Sequence, residues 1–226
     1  MSNDELPFTI IYKEGYGDGT NTINDIKEMY SKCRRGVILG KGPTFQEVDK
    51  EPDQFITCIN ETINFCNHAD LLVCNDVDAF SLLDYEHLKK INLKNILLPY
   101  HPHLQQACNR NVTYKHIFSK IKDHFSGNLI VYNLHTANIN YKEHITLKYA
   151  ANGAHTALEF MANFLDIKEY DVYGIMKGRG YHPNFVDHGK KSNCHSDNYT
   201  HYDQLFNKIC NEYKATRTKH CKWLTL

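Results

Sequence analysis

Residues 36–45 of this chain read GVILGKGPTF, an apolar run that ends in a turn of Gly40, Lys41 and Gly42, followed by Pro43 and Thr44. Glycine reaches positive φ and carries no Cβ, so a strand end built this way lets a phosphate or a ribose approach the backbone. A chain turning into a helix there would aim free amides at an anion. The next two apolar runs, FITCIN and LLVCN, also close on polar residues, Asn60 and Asn75. Asparagine offers a donor and an acceptor together, which suits the edge of a base or a sugar. Asp76 and Asp78 follow at once as an Asp-x-Asp pair, the spacing with which a divalent cation is held against a diphosphate. Asp78 also reads as the cap of the helix after it.

These residues need a scaffold that ends several strands side by side. Apolar runs recur at 8–12, 36–40, 55–59, 71–75, 95–100, 129–134 and 170–175, separated by stretches of helical period. That alternation predicts one α/β domain over residues 1–226, with a single doubly wound, mostly parallel sheet flanked by helices. The runs are nearly continuous rather than alternating, as expected of strands covered on both faces. Helices are expected at 24–32, 78–90, 114–124, 153–165 and 202–213, the fourth marked by Ala154, Ala157, Leu158, Met161, Ala162 and Leu165. Residues 176–200 lack a regular pattern and carry glycines, aromatics and histidines, which reads as a lid or acceptor loop.

The chain has 226 residues, 26 basic and 26 acidic side chains and 14 histidines. Its first 110 residues carry 11 Lys and Arg against 16 Asp and Glu and the remainder 15 against 10, so a net of −5 is followed by one of +5, and ten histidines fall in the basic part. A mildly basic, histidine-rich half suits a phosphate-bearing ligand, while five charges are too few to identify a nucleic-acid protein. There is no run of eighteen apolar residues and no apolar leader in MSNDELPF, so a cytoplasmic protein without membrane insertion is expected. Cys33, Cys58, Cys66, Cys74, Cys108, Cys194, Cys210 and Cys221 form no Cys-x-x-Cys pair and read as reduced, mostly buried thiols. His101 and His103 lack a third ligand at a suitable spacing.

The order of a strand, Gly-x-Gly-Pro-Thr, a short helix with an acidic residue and two strands ending in Asn resembles the sialyltransferases of glycosyltransferase family 42. The stretch NGAHTALEFMANFLDIKEYDVYGI (152–175) is similar to that family's turn, apolar helix and strand ending in Gly-Ile, and HSDNYTHYDQLFNKICNEY (195–213) to its His-Ser segment before the last helix. The resemblance spans roughly 36–80 and 150–213. It implies a Rossmann-like sheet of the GT-A-variant kind and transfer of a sugar from a nucleotide-sugar donor, a CMP-sugar by preference, with inversion. By that likeness Gly40, Lys41, Gly42, Pro43 and Thr44 form the phosphate loop, Asn60 and Asn75 contact the donor, and Asn152 and Gly153 contact its nucleotide. Lys41 stands where the family has asparagine, and Met176 where it has an acidic residue.

The same likeness makes His195 the base that takes the acceptor hydroxyl's proton, a task that suits imidazole. His182, His188 and His201 are its rivals. Tyr181 corresponds to a loop tyrosine of the family, with Tyr199 and Tyr202 as other candidates, and Lys177 and Arg179 could stabilise charge growing on the leaving phosphate. No cofactor beyond the donor is required on this reading, with a divalent metal at Asp76 and Asp78 as the less favoured route. The acceptor is a glycan or a hydroxylated base in DNA, as in phage-type DNA modification, and the oligomeric state is open. Two readings compete. One is a metal-dependent pyrophosphokinase of the pterin type, using Asp76 and Asp78. The other is a nucleotide-binding module without catalysis.

Overall fold

In the computed structural model of the chain, the residues described are 9–13, 16–17, 22–75, 77–99, 114–134, 145–175, 181–185 and 199–217. Ten strands form one sheet: β1 (Thr9–Lys13), β2 (Tyr16–Gly17), β3 (Arg35–Leu39), β4 (Gln54–Ile59), β5 (Leu71–Val73), β6 (Asn95–Pro99), β7 (Asn128–Leu134), β8 (Ile145–Leu147), β9 (Glu169–Tyr173) and β10 (Thr216–Arg217). The helices are α1 (Ile23–Met29), α2 (Tyr85–Ile91), α3 (Tyr114–Ile121), α4 (Gly153–Phe164) and α5 (Tyr199–Glu212), with 3-10 turns at Asn60–Phe65, Val77–Leu82 and Pro183–Phe185.

The strand order is β10-β9-β3-β4-β5-β6-β7-β1-β2, every pairing parallel except β1 with β2. β7 is longer than its neighbours, and its outer edge is shared. β1 pairs with Asn128–Ile130 and β8 with Tyr132–Leu134. From β3 the chain steps one way through β4, β5, β6 and β7, then returns through α4 to place β9 on the other side of β3. The border between β3 and β9 is therefore a switch point, and ligands of open parallel sheets gather beyond the carboxyl ends of strands at such points.

Successive side chains of a strand face opposite sides, and here both sides are packed. Ile38, Phe55, Leu71, Val73, Leu97 and Ile130 meet α1, α4 and α5, while Val37, Ile56, Cys58, Leu72, Ile96 and Leu98 meet α2, α3 and the 3-10 turns. This is the doubly wound, Rossmann-like arrangement expected from the continuous apolar runs. α4 is buried almost all round because it lies between sheet and α5, with Ala157, Leu158, Phe160 and Met161 fully buried. Two helix expectations need correction. The region 78–90 is not one helix but a 3-10 turn followed by α2, and the cap of α2 is Asp84, whose carboxylate accepts from His87 N at 3.0 Å. An aspartate there starts a new helix instead of extending the old one. The backbone of Asp78 accordingly lies inside the 3-10 turn rather than at the head of α2.

Candidate functional site

The turn after β3 is built against the end of β9. Gly40 N donates to Tyr173 O at 2.8 Å, Gly42 N donates to Gly174 O at 2.7 Å, and Gly174 N donates to Thr44 Oγ1 at 3.0 Å. Gly174 has φ 67°, a conformation that favours glycine. A Cβ on Gly42 would stand 2.7 Å from Gly174 O, and one on Gly40 would overlap Ile175. The glycines thus serve a close approach of two backbones. The expectation that Gly40 and Gly42 offer bare amides to a phosphate is overturned, since both N–H groups are already bonded within the protein. Thr44 likewise spends its hydroxyl on the β9 side.

What remains available at this rim is side-chain chemistry. The chain leaves β4 through Asn60 at φ 53°, a left-handed turn that asparagine tolerates. Thr62 fixes this turn: its buried hydroxyl accepts from Ile59 N at 2.9 Å and lies 3.2 Å from Leu39 O on β3. Glu61 is thereby swung toward the β3 turn, where Lys41 Nζ donates to its Oε1 at 2.8 Å. The Glu61 side chain is 3% exposed and that of Lys41 22%. The Lys41 ammonium also lies 4.9 Å from the centre of the Tyr181 ring, a cation–π contact. The second carboxylate oxygen of Glu61 and Oδ1 of Asn60 are both buried without a hydrogen-bond partner among the described residues.

Residues 181–185 are docked on the same corner. His182 N donates to Lys41 O at 2.8 Å, and Phe185 stacks edge-on with Phe45 at 5.1 Å and Phe65 at 5.0 Å. Tyr181 is therefore held at the rim by an aromatic wedge. Lys177, Arg179, His195, Asp76 and the rival His188 lie outside the described residues, and so do the side chains of Asp78 and of the rival His201.

Asn75, Asn152 and Gly153 reach the same rim but are occupied. Asn75 Nδ2 donates to Thr156 Oγ1 at 2.9 Å, and its Oδ1 accepts from Tyr132 OH at 3.0 Å. Thr156 Oγ1 in turn donates to Asn152 O at 3.0 Å, and Asn152 Oδ1 caps α4 by accepting from His155 N at 3.0 Å. Gly153 lets α4 start directly above Ile59, whose Cγ2 would stand 2.5 Å from an added Cβ. This relay places the amino end of a twelve-residue helix over the ends of β4 and β5, where its dipole favours an anion.

Among the described residues, two carboxyls with displaced titration lie away from this rim and do structural work. Asp70, at the amino end of β5, is buried, which would raise its pKa, but hydrogen bonds from His68 and Lys50 and the amide of Ile56 hold its carboxyl below the usual range. Burial pushes the carboxyl of Glu159 up, although it accepts from Lys148 N and Tyr149 N at 2.7 Å each. Cys58, Cys66, Cys74 and Cys210 are buried and Cys33 is partly buried, none of them in a disulfide. No cluster of three or more potential metal ligands occurs among the described residues, and no helix among them is long and apolar enough to cross a membrane.

Glu61 is the residue that sequence reasoning passed over. It sits in a 3-10 turn after a buried strand, where a lone acid reads as a solvated charge; its signal was the position, one residue past the polar end of a fully buried run. Comparison with protein-family models, curated proteins and solved structures gives no match.

Proposed function

We propose that the chain is a glycosyltransferase that moves a sugar from a nucleotide-sugar donor, a CMP-sugar by preference, to an acceptor hydroxyl by inverting displacement. The observation that carries this reading is the corner where Lys41, Asn60, Glu61 and Tyr181 meet beyond adjacent parallel strands. It holds a cation and two buried oxygens that lack partners, beside a helix amino end, which are complementary to the phosphate and the hydroxyls of a nucleotide. With the Gly40 and Gly42 amides consumed, neutralisation of the leaving phosphate falls to Lys41 and the start of α4, assisted by Lys177 and Arg179. His195 serves as base, and Tyr181 flanks the reacting phosphate. The acceptor is a glycan or a hydroxylated base in DNA, and a divalent ion at Asp76 and Asp78 is not needed for the step.

Thermal shift against nucleoside mono- and diphosphates and their sugars tests the reading. A ligand that binds only the folded state at a hundred times its Kd stabilises by about 2.7 kcal/mol. CMP should raise Tm and His195→Ala should keep that shift while transfer falls by roughly 10²- to 10⁴-fold, the weight of a general base. Stabilisation only by uridine or guanosine diphosphates with manganese would overturn the CMP preference, and activity lost on chelation would overturn metal independence.

A further inference from the structure

We infer that Glu61 and Asn60 together read a vicinal diol, the 2′,3′-hydroxyls of a ribonucleotide; the inference rests on the nucleotide reading above and names what that corner selects. Two consecutive side chains, both more than nine-tenths buried, each present an oxygen without a partner. Buried polar atoms in native proteins are nearly always satisfied, so orphans on two consecutive residues mark a place where something else supplies the bonds. Both oxygens are acceptors: an ionised carboxylate can only accept, and so can an amide oxygen. A phosphate or a carbonyl edge offers them nothing, whereas a cis-diol offers two O–H donors at adjacent positions.

The placement agrees with the chemistry. Glu61 follows the strand next to the glycine turn, twenty residues beyond Lys41; in the dinucleotide-binding form of such sheets, an acid about twenty residues past the phosphate turn bonds the ribose 2′-hydroxyl. The Lys41 ammonium on Oε1 balances the charge and fixes the side chain, leaving Oε2 for the ligand. Lys41 is partly exposed, so its tip can swing outward to a phosphate and uncover the carboxylate. An exocyclic amine also carries two donors, and the experiment separates it from the diol.

Titration calorimetry of the full chain with CMP, UMP, AMP, GMP and their 2′-deoxy counterparts decides the matter. The ribonucleotide that binds should do so about tenfold more tightly than its deoxy form, as loss of a hydrogen bond to a charged group implies. Glu61→Gln should reduce that preference to about twofold. Lys41→Met, which removes the ion pair and the cation facing the phosphate, should weaken both ligands. Equal binding of ribo and deoxy forms overturns the diol reading and leaves the nucleotide reading standing; if such a protein prefers CMP to UMP, the amine is what is read. A ratio that survives Glu61→Gln also overturns it. Failure of every mononucleotide to bind overturns both.

Discussion

At Gly174 the backbone turns left-handed with an amide already committed to Thr44, and an added methyl would collide with the carbonyl of Gly40. Gly174→Ala should therefore cost at least ~2 kcal/mol, from the left-handed penalty plus the overlap, read as a lowered urea midpoint with unchanged m. Asn75→Ala removes the hydrogen bonds that the buried Tyr132 and Thr156 hydroxyls make to its amide and should cost about 1–3 kcal/mol. Because both ends of its amide are engaged, that loss should appear in unfolding rather than as a specific loss of nucleotide affinity. Asp70 makes a prediction with a definite sign. Its folded pKa lies below the ordinary 3.8, so the stability it contributes is complete above that value and disappears as pH falls through the folded pKa. Asp70→Asn should be less stable than the parent at neutral pH and show a flatter loss below pH ~4, since the group that titrates is gone. Urea melts from pH 3 to 7 check both parts. At this scale the sequence was legible in residue type and misleading in purpose. The glycines of the β3 turn were visible, but the body they admit is the backbone after β9, some 130 residues away in the chain, and no local pattern announces a neighbour that distant.

Among the elements, α4 carries the most information about the rim. Its cap is local and was readable: Asn before Gly-Ala-His is a strong start signal, and the apolar spacing behind it gave the helix to within one residue of its observed end. Asn152→Ala should remove the cap and cost ~1 kcal/mol, measured as a fall in Tm, with donor affinity following only as far as the helix start loosens. The 3-10 turns after β4 and β5 were less legible. Val77–Leu82 carries enough apolar residues to extend a helical reading from Asp78 to Lys90, yet Asp84 recaptures the backbone at His87 N and restarts the helix. β2, β8 and β10 span two or three residues each, too short to show a period of two, and their existence depends on an open neighbouring edge. The corner at Asn60 and Glu61 escaped for a related reason: its geometry comes from Thr62 gripping β3 and β4 together, a contact made across strands.

For the molecule as a whole, the sheet and its two covered faces follow from continuous apolar runs, whereas strand order does not. The order places β3 centrally, between β4 and β9, so its two edges are satisfied by partners of very different distance along the chain. β4 arrives within about twenty residues; β9 closes the other edge only in the last third of the sequence. During synthesis, a nascent chain that has released β1 through β7 holds one apolar flank, Val37, Ile38 and Leu39, still waiting for its partner. Such an open flank is a template for other chains. A ribosome stalled near residue 165, or a gene truncated there, should yield protein that aggregates or is held by chaperones, while one carried past residue 217 should not.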